Sequence, residues 1–135
     1  MPVNDVVLNK VAVIARCANR MREEFADDEQ TFFLDLAKQD TVVLNFQRAC
    51  EASLDIANFI IKKNKLGAPQ SAINSFDLLE KGKIISLDLS LRMKEMIGLR
   101  DLAVYDDQKL NLDMVVAVVR HDLSRFDEFC AKIVT

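Results

Sequence analysis

The sequence predicts an all-α protein, an antiparallel bundle of four to five main helices, and three observations support this. Apolar residues recur at intervals of three and four along most of the chain. Helix breakers are scarce, with three glycines and two prolines in 135 residues. No stretch of weight alternates with a period of two, and the β-branched runs at 41–44 and 115–119 sit inside helical periods. A chain of this length can bury a real core without disulfides or metal, and one domain over residues 1–135 is expected.

The first helix should start after Asn4 or Asp5, either a plausible N-cap, and run to about Phe25. Val7, Val11, Ile14, Ala18, Met21 and Phe25 form its seam, and Asp27, Asp28 and Glu29 close it as an acidic turn. A short helix from Thr31 to Ala37 follows, then a reset near Gln39, Asp40 and Thr41 where Asp40 can cap. A long helix then reaches Asn64, with Val43, Phe46, Cys50, Leu54, Ala57 and Ile61 as its stripe. Asn45, Arg48 and Glu51 are polar on that helix, and Arg48 can pair with Glu51 at i,i+3. They form either a solvated face or support for a later site.

Lys62, Lys63 and Lys65 end the long helix, where the macrodipole favours cations. Gly67 and Pro69 mark the one clear loop, with Gly67 as the helix stop. A short helix from about Ser75 to Lys81 and a turn at Gly82 come next. The following helix begins near Ser86 or Asp88 and carries Leu87, Leu91, Met93, Met96, Ile97 and Leu99 towards Val104. Asn111 caps the last helix, whose apolar face is Leu112, Val115, Val119, Leu123, Phe126 and Ile133.

A formal net charge of −3 argues against a dedicated nucleic-acid binder, so any RNA contact must use a local patch or be transient. Cys17, Cys50 and Cys130 are odd in number and far apart, which suggests buried reduced thiols rather than a disulfide framework or a metal site. No apolar run is long enough to span a membrane and the N-terminus does not read as a signal peptide. A cytoplasmic protein is expected.

Chemistry concentrates at residues 96–110. Arg100 and Asp101 interrupt an apolar run, and the only tyrosine follows at Tyr105 with Asp106 and Asp107 behind it. At about 100° per residue, Asp101 and Tyr105 are i,i+4 neighbours, close enough for a carboxylate–phenol hydrogen bond. An arginine between Leu99 and Leu102 is expected to be partly buried and to need an anionic partner: Asp101, Asp107, Glu51 or a phosphate. An internal salt bridge that locks the bundle is the plain structural reading of the same residues.

The run Gly98-Leu99-Arg100-Asp101-Leu102-Ala103-Val104-Tyr105-Asp106-Asp107, with Leu110-Asn111-Leu112-Asp113 after it, resembles the signature region of HEPN-domain proteins of the HepT group. Leu44 to Glu51, Asp55-Ile56-Ala57 and Leu66 to Gln70 extend the likeness along the whole chain. The family motif reads Arg, a polar residue that is usually Asn, three further residues, His, one residue, Tyr. The resemblance implies a toxin of a toxin–antitoxin pair. It would be a metal-independent endoribonuclease acting on tRNA or mRNA as a homodimer without cofactor, with the motif helices of two protomers facing each other. It also implies neutralisation by a small nucleotidyltransferase, MntA, which transfers AMP to the motif tyrosine.

By this resemblance Arg100, Asp101 and Tyr105 take the catalytic positions and Asp107 the modified one. Asn45, Arg48 and Glu51 are the supporting residues. Three positions depart from the pattern: Asp101 stands for Asn, Tyr105 for the catalytic His, and Asp107 for the AMP-accepting Tyr. A phenol with an ordinary pKa of about 10 is a poor base at neutral pH. The only histidine, His121, lies in the last helix and is expected to be a surface or core residue rather than a substitute base. Tyr105 is a low-ranking substitute AMP acceptor. The alternative to a ribonuclease is a non-catalytic helical binding partner of a nucleotidyltransferase.

Overall fold

The computed structural model describes residues 4–105 and 111–134, without the side chains of 103–105. Helix α1 (Asp5–Phe25) begins where Asn4 Oδ1 accepts the Val6 N–H at 2.7 Å. It buries Val7, Ile14, Cys17, Ala18, Met21 and Phe25, the expected seam with Val11 only half-buried. The chain turns at Ala26 and Asp27, both in the left-handed region.

Helix α2 (Glu29–Leu34) is capped by Asp28, which accepts the Thr31 N–H at 3.1 Å. The break before the long helix falls at Asp35 and not at the expected residues 39–41. Asp35 is extended and its carboxylate accepts the Lys38 N–H at 3.1 Å, so α3 (Leu36–Lys63) runs uninterrupted through Asp40. Gln39, which reads as part of a break, is buried and donates Nε2 to the carbonyls of Phe32 at 3.0 Å and Phe33 at 3.2 Å. It thereby adds a donor at the end of α2, where the Phe32 carbonyl also accepts the Asp35 N–H at 3.4 Å. α3 buries Val42, Phe46, Ala49, Cys50, Ser53, Ile56, Ala57 and Ile61 and packs against α1.

Helix α4 (Ala72–Lys81) starts three residues earlier than expected, because the Ser71 hydroxyl accepts the Asn74 N–H at 3.0 Å. Helix α5 (Leu87–Tyr105) follows, with Ser86 Oγ accepting the Leu89 N–H at 3.1 Å. Two residues expected in its core, Leu87 and Leu91, are exposed at 60% and 46%. The buried stripe starts two residues earlier, at Ile85, and advances through Leu89, Met93, Met96 and Ile97.

Asn111 caps α6 (Leu112–Ala117), accepting the Asp113 N–H at 2.7 Å. The last helix is not regular throughout: Val118–Asp122 form a π-helical turn before α7 (Leu123–Val134). The wider turn lets Val115, Val116 and Val118 share the core with Leu123, Phe126, Phe129 and Ile133. Edge-on contacts Phe46–Phe126 and Phe76–Phe129 tie α7 to α3 and α4. No described helix is long and apolar enough to cross a membrane.

Candidate functional site

Apolar packing sets the site before any polar group acts. Cys50 is fully buried on α3, and its thiol donates to the Met96 carbonyl of α5 at 3.8 Å. That carbonyl belongs to the turn that leads to Arg100, so the contact fixes the register of α3 against the end of α5. Burial pushes the Cys50 thiol well above its ordinary range, so at neutral pH it is a neutral packing group. Burial likewise raises the Cys17 thiol and pushes Cys130 up to about 11.

With Cys50 inside, the next residue along α3, Glu51, faces α5. Its Oε1 lies 3.9 Å from a terminal nitrogen of Arg100. Asp101 places Oδ1 3.0 Å from Arg100 Nε. The Arg100 side chain is only 12% exposed against 59% for Glu51, so the cation is held inside and its partner reaches in from solvent. The Asp101 contact is close, but Arg100 Nε–H does not point at the carboxylate, and this buried donor has no hydrogen-bond acceptor among the described residues. We read the Asp101 pair as charge proximity without a hydrogen bond. A buried donor left unmatched costs about 1–3 kcal/mol.

Of the anionic partners open to Arg100, the structure therefore supplies Asp101 and Glu51. Glu51 pairs across helices with Arg100 and not along its own helix with Arg48. Asn45 donates Nδ2 to the Thr41 carbonyl at 2.8 Å and so bonds its own helix. Arg48 is exposed, and its charge acts on Cys17 of α1. Tyr105 is the last residue of α5; its side chain, its suggested bond to Asp101, and Asp107 lie outside the described residues.

His121 is exposed on the π-helical turn and lines a cleft with Arg22, Phe25, Asp27 and Arg120, on the α1 side. Arg120 is held there by Asp27 at 2.7 Å and Glu29 at 2.8 Å, with its guanidinium over the Phe25 ring. The neighbouring Asp122 faces the other way, towards Glu95, Met96 and Leu99 of α5. This π-helical turn leaves no sign in the sequence, because its residues keep the apolar spacing of an ordinary helix. Among the described residues no three His, Cys, Asp or Glu side chains converge as a metal site.

The family model described as "Ribonuclease HepT-like" matches residues 14–133. The chain is 48% identical over 127 residues to the mRNA nuclease HepT of Shewanella oneidensis, covering 94% of this chain and 95% of that protein. Among solved structures it is similar to a tri-AMPylated Shewanella oneidensis HEPN toxin in complex with MNT antitoxin. There the TM-score is 0.93 at 46% identity, over 97% of this chain and 98% of that one. A toxin–antitoxin structure with AMP-PNP aligns with a TM-score of 0.92 at 47% identity, over 97% of this chain and 99% of that one.

Proposed function

We propose that this chain, which belongs to the HepT-like ribonuclease family, is the toxin of a toxin–antitoxin pair. In this reading it is a single-domain cytoplasmic protein that acts on RNA as a homodimer. A nucleotidyltransferase of the MntA type neutralises it by AMP transfer. The observation that carries the reading is Arg100, a nearly buried cation with an Nε–H that has no acceptor among the described residues and a solvent-reaching carboxylate beside it. The Shewanella relative, named as an AMPylated toxin in complex with its antitoxin, supports the partner.

The reaction is attack of a ribose 2′-hydroxyl on the adjacent phosphorus with departure of the 5′-oxygen of the next nucleotide. Arg100 binds the phosphoryl oxygens and offsets the charge that grows on them. The 2′-hydroxyl proton needs a base, and Tyr105, at the position of the family histidine, is a weak one at neutral pH. Asp107 stands at the position of the AMP-accepting tyrosine, which leaves Tyr105 as the one phenol in the chain. Cleavage is therefore slow.

The test is RNA cleavage by the purified chain beside a Tyr105→His, Asp107→Tyr double variant. A general acid–base group contributes about 10²–10⁴-fold, so the double variant should be faster by roughly that range. A second reading, a non-catalytic partner of a nucleotidyltransferase, is favoured by the carboxylates of Glu51 and Asp101, which compete with phosphate for Arg100. Cleavage by the double variant alone would select it. Equal cleavage by both chains would show that the base lies elsewhere and overturn the assignment of Tyr105. The dimer is expected to place Arg100 and Tyr105 of two copies near its two-fold axis, and a monomer in sedimentation would exclude it.

A further inference from the structure

At the end of the bundle remote from Arg100, α3 and α4 finish side by side. Leu66, just beyond α3, lies 2.9 Å from where a Cβ on Gly82 would stand, just beyond α4. The two helix ends are built alike. After α3 the Leu66 N–H donates to the Ile61 carbonyl at 2.9 Å and the Lys65 N–H to that of Lys62 at 3.4 Å. After α4 the Ile84 N–H donates to the Leu79 carbonyl at 2.9 Å and the Lys83 N–H to that of Glu80 at 3.0 Å. Both are Schellman closures, and each puts one residue in the left-handed region, where glycine is usual.

Here that residue is a lysine both times, Lys65 at φ 54° and Lys83 at φ 61°. Left-handed backbone is strained for a residue with a Cβ. The helix macrodipole accounts for Lys62, Lys63 and Lys81 in the last turns, but it does not require a lysine at the strained position twice. All five lysines are exposed and none forms an ion pair within 4 Å among the described residues, although the charge of Lys81 reaches Asp77 on α4, which is itself bonded to Lys94 at 2.7 Å. Residues 62–76 and 81–87 contain no Asp or Glu, in a chain whose formal net charge is −3.

We infer that Lys62, Lys63, Lys65, Lys81 and Lys83 form a sequence-independent contact surface for the RNA backbone, separate from the Arg100 site. The inference rests on the RNA-directed reading above. Lysine is a compact charge on a flexible stem, suited to following phosphates without reading bases. Glu51 and Lys63 are about 18 Å apart along α3 at about 1.5 Å per residue. One RNA strand can therefore touch both places, and the lysine pole gives an acidic protein the local patch it needs.

The test is a Lys65→Gly, Lys83→Gly double variant of the full chain, titrated with a labelled mixed-sequence single-stranded RNA across a salt series. Glycine relieves the left-handed positions, so the variant should melt at the same temperature or higher. Each lost contact to single-stranded RNA should lower the log–log salt slope by about 0.7 and, at ~0.1 M salt, weaken binding about fivefold. A variant with the salt slope and affinity of the parent overturns the inference. So does loss of binding to anionic phospholipid vesicles with RNA binding unchanged, which would assign the pole to a membrane surface. A parent chain that binds no RNA removes both this inference and the RNA-directed reading. A parent that binds but does not cleave RNA removes only the catalytic part of that reading and leaves the pole standing.

Discussion

With Glu51 Oε1 at 3.9 Å and Asp101 Oδ1 at 3.0 Å, Arg100 has two carboxylates beside it, and in the proposed function a phosphate competes with both for the guanidinium. Glu51 is the one that can leave, because its side chain is 59% exposed and regains water when the pair opens. Asp101 is fixed by its place in the same helical turn. A less visible residue is Asp122, half-buried beside Met96 and Leu99. Its carboxyl is raised above the usual range, first by burial and then by Glu95, against the opposing pull of Arg92, His121 and Arg125. The folded state therefore holds this proton more tightly than the unfolded chain does. Asp122 contributes stability at pH values below the ordinary carboxylate range and loses it as pH rises through the raised folded-state pKa. Asp122→Asn should raise the melting temperature at neutral pH and flatten its dependence on pH across the acidic range. A variant no more stable than the parent at neutral pH would exclude an ionised, desolvated Asp122.

At the scale of elements, the joint between α2 and α3 shows where local signals compete. Asp35 and Asp40 are both good capping residues, and each precedes an apolar helical period. What selects Asp35 is tertiary: Phe32 must reach the core and Gln39 must reach the Phe32 and Phe33 carbonyls, and both follow only from a break at residue 35. Asp35→Ala should therefore cost about 1 kcal/mol in urea denaturation, the usual worth of an N-cap. Asp40→Ala, on the exposed side of a continuous helix, should fall within about 0.5 kcal/mol of the parent. Equal losses would show that the helix is interrupted after all. The helix starts at Asn4 and Asn111 were legible in sequence from their capping residue types, whereas the start at Ser71 was not, because Ser75 offers the same hydroxyl one turn later. The outward turn of Leu87 and Leu91 was not, since one apolar residue outside the helix, Ile85, decides which stripe faces the core.

At the scale of the molecule, the bundle and the family likeness were legible throughout, whereas only half of the candidate site was. Arg100 stands out as a charge in an apolar run with Glu51 among its candidate partners, but that Glu51 faces it across the helices follows only from how Cys50 packs under Met96. Gly98 gains meaning only in the fold. It lies in mid-helix two residues before Arg100, and among the described residues nothing is within 4 Å of where its Cβ would be. Among the described residues the glycine has no packing role, and it costs α5 about 1 kcal/mol relative to alanine. It fits the proposed dimer, because a bare backbone lets a second helix approach next to Arg100. Gly98→Ala should then have two separable effects. The monomer unfolding free energy should rise by about 1 kcal/mol, while sedimentation equilibrium should show weaker self-association. If the substitution stabilises the fold and leaves dimerisation unchanged, the two-fold axis does not pass close to this turn. The pairing of two Arg100 sites across it would then have to be abandoned, although each copy could still bind phosphate by itself.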